Sequence, residues 1–222
     1  EAKKAEGELT AVKPLLQRLR QVFPRLFHVG LGDALYANGP MYALLRQGPW
    51  PMDLIAVLKK ERDEPLADAL TVFQSMPPTK TYYDHQRQEH VRLWDSEGFE
   101  SLGTCPYPLR VIKALVLKGP EKPQPKESDW TGKRPHTWCM ATGLNQEKLA
   151  GPQVFDVLRH RWDEENCAFN ELTQHWHFKH SYLHHEVGTQ AMFYAFLIAY
   201  NIFQLFLHCC LRHFAFSRTT AV

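Results

Sequence analysis

Arg159-His-Arg-Trp-Asp-Glu-Glu-Asn-Cys-Ala-Phe-Asn-Glu-Leu172 reads as an α-helix that carries a carboxylate on its apolar face. At about 100° per residue, Leu158, Trp162, Phe169, Leu172 and Trp176 gather on one side, and the remaining slot between Trp162 and Phe169 falls to Glu165. Of the adjacent acids Asp163, Glu164 and Glu165, only the last faces inward on that wheel. Burying an ionised carboxylate is expensive unless it is paired or holds a metal. Arg161, one turn earlier, offers a structural ion pair; a bound cation is the other way to meet the cost.

Upstream of this helix the chain opens with alternating helix and strand signals. Leu9, Val12, Leu16, Leu19 and Phe23 recur at helical spacing with Lys13, Arg18 and Arg20 opposite, which predicts a helix over residues 9–23, ended by Pro24. Leu26 to Leu31 is a short apolar run of the kind that forms a strand buried on both faces, and Asp33 stands just beyond it. Asn38-Gly-Pro40 opens a helix from Met41 to Gln47, stopped by Gly48; Leu54 to Leu58 is a second buried strand, closed by Lys59 and Lys60. Helix, strand, helix, strand predicts a parallel βαβ unit within an α/β sheet. Ligands of such sheets bind off the carboxyl ends of the strands, so Asp33 is a candidate for chemistry. Capping of the next turn is the competing use of an Asp in that position.

From Pro77 to about Lys148 the texture changes to β-branched and aromatic runs bounded by Gly and Pro. Thr81 to Tyr83, His90 to Trp94, Pro108 to Lys118 and His136 to Thr142 are the expected strands, a β-rich insertion in, or extension of, the sheet. The loop between the last two carries Lys118, Lys122, Lys126, Lys133 and Arg134 beside Trp130 and Trp138. Such a basic, aromatic surface suits phosphates and an unpaired base; a solvated loop over core tryptophans is the alternative. Helix resumes near Gln153, and a strongly apolar helix closes the chain from about Gln190 to Leu211. The expected parts are therefore a first core segment over residues 1–76, the β-rich segment over 77–150 and C-terminal helices over 151–222.

Composition narrows the class of function. A net charge of +2 and a pI near 8.3 permit a polyanionic partner without demanding one. Five cysteines without a repeated spacing do not make a disulfide framework, and residues 1–8 are charged rather than apolar, so a reducing cytoplasm without a signal peptide is expected. His180 and His184 have the i,i+4 spacing that grips zinc on a helix, but no Glu lies between them as in His-Glu-x-x-His, and solvent or phosphate contacts by a neutral histidine surface are favoured. The run from Ala191 to Leu207 approaches the roughly 20 residues that span a bilayer. Asn201, Gln204 and His208 form one polar stripe along it, which favours a helix buried in protein over a membrane span.

The segment from Arg161 to Trp176, followed by the histidine-rich stretch and the apolar helix, resembles the C-terminal signature of insertion-sequence DDE transposases. Gly32-Asp-Ala-Leu-Tyr-Ala-Asn-Gly-Pro40 is similar to the segment around the second aspartate of the same family. The two motifs stand in the family's order with a β-rich segment between them, and the likeness covers nearly the whole chain. It implies an RNase H-like fold, a mixed sheet flanked by helices, with a β-rich insertion between the second and third acids. Asp33 matches the second acidic ligand and Glu165 the third; Arg161 matches an arginine that contacts end phosphates in relatives, and Asn166 joins it as a DNA contact. Departures are Leu158 for a frequent tyrosine, Thr173 near a usual lysine and Glu164 for an aliphatic residue.

What the resemblance implies chemically is phosphodiester hydrolysis at an element's end, then attack of the freed 3′-hydroxyl on target DNA. Two Mg²⁺ ions, for which Mn²⁺ substitutes, serve such displacements at a separation of about 3.5–4 Å, and hard divalent ions want the carboxylate oxygens that Asp33 and Glu165 offer. The implied partners are terminal inverted repeats, target DNA and a second transposase subunit in a synaptic complex, at the nucleoid and away from any membrane. The family's first aspartate has no match here, and the chain begins at what resembles the Gly7-Glu8 lead-in to the helix after the opening strands. A truncated catalytic domain, inactive alone, is expected. The alternative functions are a membrane-anchored protein built on the terminal helix and a histidine-rich metal-binding interaction module.

Overall fold

The alternating signals near the start of the chain fold as a parallel β-strand pair that seeds one larger sheet. The computed structural model describes residues 2–48, 51–59, 64–121, 126, 130, 135–178, 180 and 184–210, without the side chains of 2–6, 163–165, 167 and 208. Two compact units compose it, Glu1–Arg161 and Trp162–Val222.

In the first unit the elements run α1 (Ala2–Val22), β1 (Val29–Gly32), α2 (Gly39–Arg46), β2 (Asp53–Val57), α3 (Glu64–Ser75), β3 (Lys80–Asp84), β4 (Glu89–Phe99), β5 (Leu109–Lys118), β6 (His136–Thr142) and α4 (Gly151–Arg159). The six strands form a single mixed sheet in the order β1-β2-β6-β5-β4-β3, in which only β1 and β2 pair in parallel. The β-rich segment is thus an extension of the sheet: β6 pairs directly with β2, Ile55 opposite Thr142 and Val57 opposite Met140. Alternation along each strand sends side chains to two cores. Leu54, Ala56, Trp94, Val111, Cys139 and Ala141 meet Met41, Tyr42 and Leu45 of α2 and Leu66, Ala69 and Phe73 of α3, with Leu9, Val12 and Leu16 of α1 partly buried beside them. On the other face Ile55, Val91, Leu93, Ile112, Ala114 and Met140 pack under Val154, Phe155 and Leu158 of α4. Gly98, at a φ of +89°, sits where the β4–β5 register shifts between Ser96 and Phe99, a bulge position that a side chain would strain.

Local chemistry fixes the elements that position the candidate site. Asn38 caps α2, its side chain accepting the Met41 N–H at 3.0 Å, and Pro40 occupies the first turn as expected. At the other end Arg20 of α1 donates to the carbonyls of Leu44, at 3.0 Å, and Gln47, satisfying the orphan carbonyls with a cation. Helix α1 begins earlier than the apolar spacing implied, and Phe23, expected on its buried side, is exposed.

The stretch that leads from α4 into the second unit departs from the sequence reading. The single helix expected from Gln153 to Leu172 is four pieces: α4, a single turn α5 (Arg161–Asp163), a π-helical segment (Glu164–Phe169) and α6 (Asn170–Gln174). A π-helix bonds i to i+5 and turns less per residue than an α-helix, so the apolar stripe does not hold its line. Leu158 and Leu172 are buried, at 0% and 2% exposure, whereas Trp162 and Phe169 lie 39% and 46% exposed. Then comes α7 (Glu186–Cys210), whose 22 residues Glu186–Leu207 are long and apolar enough to cross a membrane by length and composition. Only 6% of its most apolar window is buried, so it is not the covered core helix that its polar stripe suggested.

Candidate active site

Asp33 stands just past the carboxyl end of β1, at the end of the parallel pair where ligands of α/β sheets bind. Its turn is closed by its own groups: Oδ1 accepts the Leu35 N–H at 2.8 Å and its carbonyl accepts the Tyr36 N–H at 3.1 Å. The turn-capping role is therefore filled, by one carboxylate oxygen. Among the described residues Oδ2 accepts no hydrogen bond, and the side chain is half-buried, so Asp33 keeps an oxygen of the type a hard cation takes.

Tyr36 lies beside it. Gly32, buried at the strand's end, leaves room for the Tyr36 side chain, which a Cβ there would overlap. The Tyr36 hydroxyl donates to Oε1 of Glu8 at 2.7 Å, bringing α1 to this end of the sheet. Burial, that hydrogen bond and the charges of Glu8 and Asp33 push the Tyr36 phenol well above its ordinary pKa. A neutral, donating Tyr36 between two carboxylates makes the corner electrostatically negative, which suits a cation. No local signal marks Glu8 as its partner, because their contact joins residues 28 apart. Tyr36 itself, an aromatic in the same turn as Asp33, was open to notice.

Glu165 lies in the π-helical segment, and its side chain falls outside the description, so whether it faces inward is not part of the observed geometry. Asp33 belongs to the first unit and Glu165 to the second, each described within its own unit. Arg161 is half-buried in α5. Asn166 is exposed, its carbonyl accepting the Asn170 amide at 3.4 Å. Among the described residues no group of three or more His, Cys, Asp or Glu gathers to hold a metal.

Of the basic loop, Lys126 is exposed, while Lys122, Lys133 and Arg134 lie outside the described residues. Trp130 follows the alternative reading, a core tryptophan. It is only 5% exposed, and the Arg92 guanidinium lies over its ring at 4.4 Å from the centroid. A ring covered in this way is a packing residue for β4 rather than an open platform for a base. Trp138 likewise packs edge-on against Phe155 of α4, with centroids 5.9 Å apart.

Compared with known proteins, the chain matches no family model and no curated protein.

Proposed function

We propose that this chain is the later part of a DDE transposase catalytic domain, whose parent cuts DNA at the ends of an insertion element and joins the freed 3′ end to a target. The observation that supports this reading is Asp33: a half-buried carboxylate at the carboxyl end of a parallel strand, one oxygen held by a backbone N–H and the other unbonded among the described residues. Asp33 and Glu165 would hold Mg²⁺, or Mn²⁺ in its place, and the bound ions supply activation of the attacking oxygen and neutralisation of the leaving one. The chain's own part is to orient and to bind. The Leu35 N–H fixes the Asp33 carboxylate plane, Tyr36 and Glu8 set the local charge, and Arg161, Asn166, Lys122, Lys126, Lys133 and Arg134 grip phosphates.

With only two of three acids matched, the 222-residue chain alone is expected not to cut DNA. Mn²⁺ binding to the purified chain, followed by calorimetry, tests the site. Weak binding lost in both Asp33→Asn and Glu165→Gln is expected; affinity unchanged by either substitution removes the residue from the site. Mg²⁺-dependent nicking by the chain alone, abolished by Asp33→Ala, would overturn the expected inactivity while keeping the chemistry.

A further inference from the structure

Within the second unit, α6 and the residues after it lie along α7. Trp176 meets Tyr200 and Phe203 with ring centroids 5.8 Å away in both cases, and the Glu171 carboxylate accepts the Tyr200 hydroxyl at 3.0 Å and the Gln204 amide at 3.2 Å. Further along, Phe178 meets Phe193 and Phe196, so the two segments run in opposite directions. Continued back through residues 162–169 in α-helical register, the face of Leu172 and Trp176 would include Phe169, Glu165 and Trp162. The π-helical segment Glu164–Phe169 breaks that line. Leu172 is buried, at 2% exposure, while Phe169 and Trp162 stay 46% and 39% exposed. The chain forgoes the burial of two aromatic rings and takes a rare helical form in doing so.

Glu165 supplies a reason. In α-helical register its carboxylate would enter the strip of α7 that follows Gln204, where the next positions of the same face are Leu207 and Cys210. From Val187 to Cys210 there is no Asp, Glu, Lys or Arg, and the two donors of that face, Tyr200 and Gln204, already bond Glu171. An ionised carboxylate buried without partners costs more than two half-exposed rings return. Arg161 stands one turn before Glu165, but an ion pair drawn into an apolar interface still loses the hydration of both charges. We propose that the charge of Glu165 sets the π-helical insertion: the insertion turns residues 162–169 away from α7 and keeps this carboxylate out of the apolar interface, and removing the charge returns the segment to α-helical register. Upstream, Arg159 fixes the end of α4 through Glu89 and, at 3.8 Å, Asp84, so the turn at His160 takes up the residue that the shift displaces. Two packings of one sequence thus differ by the state of a single side chain.

This inference goes beyond the transposase reading and holds whether or not Glu165 takes a metal. Hydroxyl-radical footprinting of the full 222-residue chain, read residue by residue by mass spectrometry, tests it. Trp162 and Phe169 should be modified readily in the native chain and severalfold more slowly in Glu165→Leu and in Glu165→Gln, each shown to be folded by far-ultraviolet circular dichroism. Tyr194, 53% exposed elsewhere on α7, should keep its rate in all of them. Glu164→Gln removes the same charge one position away and off that face, so it should leave both aromatic rates as in the native chain. Rates at Trp162 and Phe169 that stay at the native level in both Glu165 variants, or that fall equally in Glu164→Gln, would overturn the proposal.

Discussion

Arg110 of β5 shows what a buried charge demands. Only 2% of its side chain is exposed, and it meets Asp95 of β4 in a bidentate pair, Nε to Oδ1 at 2.7 Å and Nη2 to Oδ2 at 2.6 Å. Nη1 donates to the carbonyls of Leu149 at 2.6 Å and Leu144 at 3.3 Å, pinning the loop that leads into α4. Asp95→Ala leaves the guanidinium buried with half its partners gone, and a loss of about 3–5 kcal/mol is expected in urea unfolding. A loss below about 1 kcal/mol, the range of exposed pairs, would show that water enters to replace the carboxylate. Asp33 separates two roles by a similar comparison. Asp33→Asn keeps an acceptor for the Leu35 N–H and should leave stability near that of the native chain, whereas Asp33→Ala should cost about 1 kcal/mol. If both lose Mn²⁺ equally, the turn and the ligand are distinct functions of one side chain. Asp33 could be singled out from its place after an apolar run; its turn bond to Leu35 was foreseen only as a competing use.

At the scale of the element, the stretch from Leu158 to Leu172 divides into pieces of different stability. Leu158, fully buried under the sheet's second core, should cost about 2–5 kcal/mol when cut to Ala. Trp162→Ala, at a 39% exposed position on the expected stripe, should cost less than Leu158→Ala, since part of the ring already meets water. Equal losses at the two positions, measured by thermal or urea unfolding, would restore the continuous helix. Apolar periodicity could not foresee the break, because it presumes a constant angle per residue, and six π-helical residues change that angle without changing composition. The strands were readable for the opposite reason: period-two alternation does not accumulate error over four to eleven residues. Helix α3 was overlooked although Leu66, Ala69 and Phe73 are spaced for one buried face, after Glu64-Pro65 as a start signal. Its place between two turn-rich segments hid the spacing.

At the scale of the whole molecule, an α/β sheet with a parallel β1–β2 pair was legible and the neighbours of β6 were not. Alternation along β6 shows which residues face each core, but nothing local to His136–Thr142 says that it lies between β2 and β5, pairs made across 83–87 and 20–32 residues of sequence, and so residues 77–150 read as a part of their own. That same sheet and its cores set how the first unit responds to alkali. Burial pushes Tyr82 and Tyr107 from 10.0 to about 12, Arg159 and Arg46 respectively opposing it, and pushes the Cys139 thiol from 9.0 to about 11 against the opposing charge of Lys113. In each case the folded chain keeps a proton that the unfolded chain gives up, so stability falls as pH rises. The contribution is complete below pH 9.0, declines first through Cys139 and then, from 10.0 to about 12, through the tyrosines. Tyr82→Phe is the cleaner probe, since the Tyr107 hydroxyl also donates to the Tyr42 carbonyl at 3.0 Å. Urea midpoints measured across this range should drop less steeply above pH 10.0 for Tyr82→Phe than for the native chain, with little difference at neutral pH. Parallel slopes for the two chains would mean that the Tyr82 phenol already meets water in the folded sheet.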